Sequence, residues 1–335
     1  MTGPVGIREV AERANVSVGT VSNVLNKPEL VSARTLALVQ STMDELGFVR
    51  NDLARQLRMG GGTTLGMIVL NVANPFWAEL AHACEAAAET QGHTVIFGSS
   101  DQLDGREDRY IDLFEEQRVR GMLIAPLDGA TERMNRLTRR GMPLVLFDIH
   151  AAGGDVCSVA LDGNAGGYLA VKHLLDTGRR RVAFLGGPLH QVEDRWEGAQ
   201  RAISEVADAT LTHFDTTDQT IADGRAMGEL IAELPEHSRP DSIFGANDLL
   251  ALGAMQSLVL ADDVHVPRDI AIVGYDDIDY AASAIVPLTT IHQPRQELAT
   301  EAVRLVLDHA ATGGAHEHEH LLLPPQLVVR ESTAR

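Results

Sequence analysis

From residue 63 onward, short runs of apolar, largely β-branched residues alternate with stretches in which apolar side chains return every three or four positions. The runs LGMIVL, TVIFG, GMLIAP, PLVLFD, VCSVALD, RVAFLGG, TLTHFD, SIFGA and IAIVGYD predict strands. Helices are predicted between them near 76–91, 106–118, 131–140, 164–177, 194–206, 221–234 and 248–260. Strands that are apolar throughout are buried on both faces, so this regular succession implies parallel sheets with helices on each side. Nine such runs exceed one mononucleotide-sized sheet, and Asp162-Gly163-Asn164 reads as a crossover into a second lobe.

The first fifty residues follow a different pattern. Ile7, Val10, Ala11 and Ala14 fall at helical spacing, Asn15-Val16 interrupts, and Ser17 is placed to cap a second helix whose apolar face is Val21, Val24 and Leu25. Val18, Gly19, Thr20, Ser22 and Asn23 face outward from that helix. The arrangement is a helix-turn-helix, in which the second helix enters the DNA major groove and its small hydroxyl residues meet phosphates. An ordinary helical hairpin at the edge of a larger domain would share the pattern. Asn26-Lys27-Pro28 closes the second helix, Ser32 opens a third that runs to about Leu46, and Gly47 sits at its C-cap. Residues 50–58 then read as one or two turns of basic helix before Gly60-Gly61-Gly62. So short a helix needs a partner helix or DNA to form.

The spacing V-A-x-x-A-x-V-S-x-x-T-V-S-x-V-L-N is carried by Val10, Ala11, Ala14, Val16, Ser17, Thr20, Val21, Ser22, Val24, Leu25 and Asn26. It is followed by Val31, Ser32 and Thr35, then by Asn51, Ala54, Arg55, Leu57 and Arg58. With these residues the first sixty positions closely resemble the lactose-repressor (LacI) family of bacterial transcription factors. The resemblance implies DNA contact by Ser17, Val18, Gly19, Thr20, Ser22, Asn23, Asn26, Ser32, Thr35, Asn51, Ala54, Arg55 and Leu57. It also implies that Leu57 and its dimer mate wedge into the minor groove at the operator centre, where the unstacking cost is offset by contacts the bent DNA allows. Packing between paired hinge helices is a compatible role for Leu57. The chain departs from the family in two places. Asn23 stands where many members have Arg, and asparagine suits adenine where arginine reads guanine. Arg50 stands where most have a proline that would stop the third helix.

Head and body differ in charge. The chain of 335 residues carries a net charge of −19, yet residues 1–60 hold seven Lys/Arg and six Asp/Glu, a net of +1. An acidic body repels the phosphate backbone and confines DNA contact to the head. Cys84 and Cys157 are far apart, without CxxC spacing or a nearby His pair, and read as buried thiols in a reducing compartment. No secretory signal and no apolar run near eighteen residues are present, so a cytoplasmic protein without a membrane span is expected.

The body resembles the rest of the same family and, through it, the periplasmic sugar-binding proteins. The expected fold is therefore α/β: a three-helix head over 1–50, a hinge helix and linker over 51–62, and a two-lobed effector domain over 63–335 built on two doubly wound parallel sheets. One lobe takes about 63–161 and 293–320, the other about 162–292 and 321–335. Ligands in such sheets bind outside the carboxyl ends of strands. Four strand ends and one helix start stand out: Asn74 to Trp77, Asp148, Ala246 to Asp248, Gly274 to Asp277, and Arg195. Carboxylates accept hydroxyl hydrogens, Arg and Asn donate to sugar oxygens, and aromatic faces meet C–H surfaces. The resemblance assigns Asp148, Arg195, Asn247 and Asp276 to effector binding, with Phe76 as a wall and Trp77 beside it. Asp248 and Asp277 read instead as helix N-caps, and Asn74 as a cap before Pro75. Ile149 stands where purine-responsive members have an aromatic residue, which favours a sugar over a flat nucleobase. His190, Arg195 and His292 leave a sugar phosphate open.

The expected function is an effector-controlled repressor of carbohydrate genes, acting as a homodimer on a pseudo-palindromic double-stranded operator. Effector binding would change lobe closure, lobe closure would change hinge pairing, and operator affinity would shift. A sugar-binding component of an uptake system shares the body but not the head. A glycosidic enzyme using Asp148 and Asp276 is the third class. No GxxxxGK[ST], GxSxG or HExxH stretch occurs, and no cofactor is expected. The stretch from His316 to His320, HEHEH, would put three imidazoles on one face of a strand, but its flanks read as a solvated loop, and no metal is expected.

Overall fold

The computed structural model describes residues 5–48, 62–103, 105–127, 129–149, 154–261 and 264–334. The chain forms two compact units, residues 1–62 and 63–335.

In the first unit α1 (Ile7–Arg13), α2 (Val18–Asn26) and α3 (Ala33–Leu46) enclose Val10, Ala11, Ala14, Val21, Val24 and Val39. Local chemistry sets the ends of these helices. Ser17 Oγ accepts from the Thr20 amide at 3.0 Å, and Ser32 Oγ from the Thr35 amide at 3.3 Å, each satisfying a donor that a helix start leaves unpaired. Asn15 turns the chain at φ 52°, and Gly47 closes α3 at φ 61°.

The second unit contains two six-stranded sheets. The first has the order β11-β5-β4-β3-β1-β2, from β1 (Thr64–Val69), β2 (Thr94–Ser99), β3 (Gly121–Ile124), β4 (Leu144–Phe147), β5 (Cys157–Leu161) and β11 (His320–Leu323). The second has the order β12-β10-β9-β8-β6-β7, from β6 (Arg181–Leu185), β7 (Thr210–Phe214), β8 (Ser242–Gly245), β9 (Ala271–Asp276), β10 (Thr289–His292) and β12 (Gln326–Val328). All pairs are parallel except β10 with β12. The first sheet takes residues through 323, three beyond the lobe limit read from the sequence, because β11 follows the register of β5 from Ser158 to Leu161. The short strands β10, β11 and β12 also went unnamed among the nine apolar runs.

Period-two alternation distributes each strand between two helical layers. Leu65, Met67 and Val69 pack against α4 (Pro75–Glu89) and α12 (Arg295–Thr312), while Ile68 packs with α5 (Arg106–Glu116) and α6 (Glu132–Arg139). The second sheet is covered by α7 (Gly163–Asp176) and α8 (Glu193–Ser204) on one side, and by α9 (Ile221–Glu233) and α10 (Asp248–Leu260) on the other. The short α11 (Asp279–Ser283) follows β9. Helices α7 and α8 approach so closely that a Cβ on Gly167 would lie 2.0 Å from the Arg195 carbonyl oxygen.

Two cap assignments made from sequence are corrected. Asn247 caps α10, its Oδ1 accepting from the Leu250 amide at 2.9 Å, and the fully buried Asp248 is instead a tertiary acceptor. Thr290 Oγ1 donates to Asp248 Oδ1 at 2.6 Å and the Ile278 amide to Oδ2 at 2.9 Å, tying α10 to β10 and to the end of β9. Asp277 caps nothing: it accepts from Arg330 at 2.6 Å and lies 2.9 Å from His292 Nδ1, while Ile278 precedes α11 without a side-chain cap. Its backbone, at φ 55°, turns the carboxylate toward these partners. Asn74 caps α4 as expected, accepting from the Phe76 amide at 3.1 Å.

Asp248→Ala would strand two donors in the core at a cost of about 1–3 kcal/mol each. Urea unfolding should show a lower midpoint for it than for Asp277→Ala, whose partners are closer to solvent. Equal midpoints would remove the buried-acceptor role.

Candidate effector cleft and DNA-reading face

On the head, Ser17, Val18, Gly19, Asn23, Asn26 and Ser32 are exposed, and Thr20, Ser22 and Thr35 are half-buried. The hydroxyls of Ser17 and Thr20 lie 2.8 Å apart and those of Ser32 and Thr35 2.9 Å apart, so each pair offers two adjacent oxygens at a helix start. Helix starts carry partial positive charge and unpaired amides, which suit phosphate. Asn26 Nδ2 donates to the Ser22 carbonyl at 2.8 Å. Asn51, Ala54, Arg55 and Leu57 lie outside the described residues, as does Arg50.

In the second unit the chain order reverses at β1 in one sheet and at β6 in the other, which opens a crevice at the carboxyl end of each. The loops after these strands enclose a cleft of about 580 Å3. Phe76, Trp77, Asp148, Arg195, Asn247 and Asp276 all line it. A second cavity of about 660 Å3 adjoins, sharing Leu70, Asp148, Gln191 and Arg195, and Ile149 and His190 line that one. His292, held by Asp277, lines neither.

Each of the six residues is set by its element. Phe76 and Trp77 open α4 with their rings edge to face at 5.0 Å. Asp148 follows β4 at φ 56° and Asp276 ends β9 at φ 113°, left-handed conformations rare outside glycine. Strain of this kind collects where a side chain must be aimed at a site. Arg195, in the first turn of α8, lies with its guanidinium carbon 4.0 Å from the Tyr275 ring centre and Nη2 4.0 Å from Asp148, and donates to the Ala246 carbonyl. One amide hydrogen of Asn247 goes to the Gln219 carbonyl at 3.0 Å, which leaves one for a ligand.

Burial pushes the Asp276 carboxyl up to about 7, against the pull of Arg195 and of Gln293, whose amide donates to it at 2.7 Å. Burial also raises Asp148, with Arg195 opposing. A third of that side chain is exposed. Burial raises Asp248 as well, with the neighbouring Asp276 adding to it.

Sequence reasoning missed part of the lining. Asp101, Gln102, Gln191, Asp218, Gln219 and Thr220 follow β2, β6 and β7, and only their place after a strand end could have signalled them. Gln191 Nε2 donates to Gln102 Oε1 at 2.8 Å, a direct bond between the lobes. The HEHEH stretch is also corrected. Only 2% of the His316 side chain is exposed, and Cys157, 159 positions away in sequence, lies against it.

Residues 6–51 match the family described as bacterial regulatory proteins, lacI family, and residues 171–333 match the periplasmic binding protein-like domain. The ribose operon repressor of Escherichia coli K12 is 32% identical over 333 residues, spanning 97% of this chain and 99% of that one. The HTH-type transcriptional repressor PurR of Aliivibrio fischeri is 31% identical over 336 residues, spanning 98% of each. Among solved structures, the lac repressor dimer bound to operator and the anti-inducer ONPF superposes with a TM-score of 0.84 at 28% identity, covering 99% of this chain and 100% of that one. Head, body and relatives aligned nearly end to end agree: this protein belongs to the lacI family of bacterial regulatory proteins, DNA-binding transcriptional repressors under small-molecule control rather than enzymes.

Proposed function

We propose that this repressor acts as a homodimer on a pseudo-palindromic operator and is controlled by a neutral sugar-class effector held between its lobes. The observation that carries the effector class is the composition of the cleft. Four aspartates, Asp101, Asp148, Asp218 and Asp276, stand against one arginine, Arg195, beside the Phe76 and Trp77 wall. Carboxylates accept from ring hydroxyls and an aromatic wall suits the apolar face of a sugar; with Asp101 paired to Arg106, Asp148 and Asp218 still outnumber Arg195, so the lining has no surplus cation for a phosphate. The ribose operon repressor and the repressor PurR are about equally similar to this chain, so identity does not choose between their effectors, while Ile149 supplies no aromatic face.

Fluorescence anisotropy on DNA upstream of the gene's own neighbourhood, at fixed salt, tests this. One neutral sugar should change operator affinity, and its phosphate ester and free purines should not. A response to a purine or a phosphate alone would overturn the effector class. Absence of any tight sequence-specific binding would overturn the operator model.

The operator-reading role of α2 makes a separate prediction. Asn23→Arg should exchange adenine for guanine preference at one base pair per half-site, a discrimination of about 1–3 kcal/mol. A competition assay across the four base pairs at each position checks it. Uniform weakening at all positions would mean that Asn23 faces phosphate.

A further inference from the structure

The geometry points to a Zn2+ site formed by Cys157, His316 and His318 at the amino-terminal edge of the first sheet. It lies at the opposite end of β5 from the effector cleft. The pairing of β11 with β5 brings it together: the Ser158 amide donates to the Glu319 carbonyl at 3.0 Å, and His320 Nδ1 lies 3.1 Å from Ser158 Oγ. That register sets the alternating histidines before β11 beside the first residue of β5. Cys157 Sγ is 3.1 Å from His316 Nε2 and 3.6 Å from His318 Nδ1, and the three donor atoms lie within 4.8 Å of one another. Around a tetrahedral zinc, bonds of about 2.3 Å to sulfur and 2.0–2.1 Å to nitrogen place donor atoms about 3.3–3.6 Å apart. The two sulfur–nitrogen separations are already close to that range, and the two nitrogens lie within 4.8 Å of each other.

Hydrogen bonds to sulfur hold this cluster only weakly. One S–H proton serves one of the two nitrogens that face it, and a thiol sulfur is a weak acceptor for the other nitrogen and for the Glu319 amide 3.5 Å away. A cation bound by all three would replace these weak contacts with metal–ligand bonds. Asp308 Oδ2 lies 3.0 Å from His316 Nδ1, so the carboxylate holds the proton there and leaves Nε2, the nitrogen facing sulfur, as a free donor. This carboxylate–histidine relay is the support that zinc-bound imidazoles ordinarily have. His309 stacks on His316 at 4.5 Å and 3°, is 4% exposed, and its Nδ1 has no hydrogen-bond partner among the described residues. That stacking lays the His309 ring parallel to a ligand ring, so a water completes the fourth position. Thiolate with imidazole donors selects zinc over the hard cations Mg2+ and Ca2+. On binding, the Cys157 thiol gives up its proton to solvent and the S–Zn bond forms.

The bound ion would fasten the end of α12, the segment before β11 and the start of β5. The full-length, reduced, chelator-stripped protein should take one equivalent of Zn2+ in competition with a chromophoric indicator. Co2+ should give a thiolate-to-metal charge-transfer band and the visible bands of a tetrahedral site. His318→Ala and Cys157→Ser should abolish both, and Asp308→Asn should weaken binding about 10- to 100-fold. Zn2+ should raise the melting temperature of the parent protein and not of His318→Ala. Circular dichroism checks folding; if Cys157→Ser unfolds, the charge-transfer band and His318→Ala decide. Co2+ bound without a thiolate band, or Zn2+ affinity unchanged by these substitutions, would mean adventitious capture by surface histidines and overturn the site.

Discussion

Replacing Asp276 by Asn is expected to weaken the effector response while making the repressor more stable above pH 7. The Asp276 carboxyl is 3% exposed, and burial moves it from an ordinary 3.8 up to about 7. An acid raised on folding contributes stability that is fully present below about pH 4, where it is protonated in both states. That stability is lost as the pH climbs to 7, because the unfolded chain ionises first. At about 1.4 kcal/mol per pH unit the loss reaches about 4 kcal/mol. Asparagine does not titrate, keeps an oxygen for the Gln293 amide, and tolerates the left-handed backbone. Its advantage over the parent in urea unfolding should therefore open between about pH 4 and 7 and stay constant above. Effector affinity should fall about 10- to 100-fold, since hydrogen bonds to charged groups contribute about 1.5–3 kcal/mol. Operator affinity without effector should hold. A stability gap equal at pH 5 and pH 8, or an unaltered effector constant, would refute the assignment.

Gly167→Ala is expected to cost both stability and effector binding without altering any residue of the cleft lining. The added methyl would stand 2.0 Å from the backbone oxygen of Arg195, so α8 must retreat from α7 and carry the guanidinium off the Tyr275 ring and away from Asp148. Overpacking of this kind costs about 1–3 kcal/mol. Gly228→Ala is the control. Its Cβ would meet the Ala254 oxygen at 2.7 Å in the α9–α10 contact, far along those helices from the cleft lining. Thermal melts should place both variants below the parent, while ligand titration should single out Gly167→Ala. Equal ligand affinity in the two would show that the spacing of α7 and α8 does not seat Arg195.

What could be read from the sequence was what neighbours in sequence decide. Ser17, Ser32 and Asn74 announce helix starts through their own oxygens, and apolar runs announce strands buried on both faces. Five of the six cleft residues stand at strand ends, which share one side in a parallel sheet, while the choice of Asp148, Arg195, Asn247 and Asp276 came from the family resemblance. Asp248 was misjudged because the deciding partners, Thr290 and Ile278, lie 42 and 30 positions away. Asp277 was misjudged for the same reason, its partner Arg330 being 53 positions away. Cys157 and the histidines meet only through the β5–β11 register, and β11 is a four-residue strand with a weak pattern of its own. Charge partition, by contrast, needs no contacts and set the contrast between head and body directly.

The strands β11 and β12 are consecutive, separated by Pro324 and Pro325, yet each edges a different sheet. Just beyond them, buried Ser332 donates to the Ile272 carbonyl at 2.6 Å and accepts from the Thr289 amide at 2.8 Å. On the ribosome, the first sheet therefore waits for its last strand through more than a hundred and fifty residues of synthesis, exposing the flank of β5 throughout. Both lobes close within the same few residues. The nascent chain has a long window in which an unpaired edge is open to chaperones or to aggregation, and almost none in which one lobe is finished and the other is not.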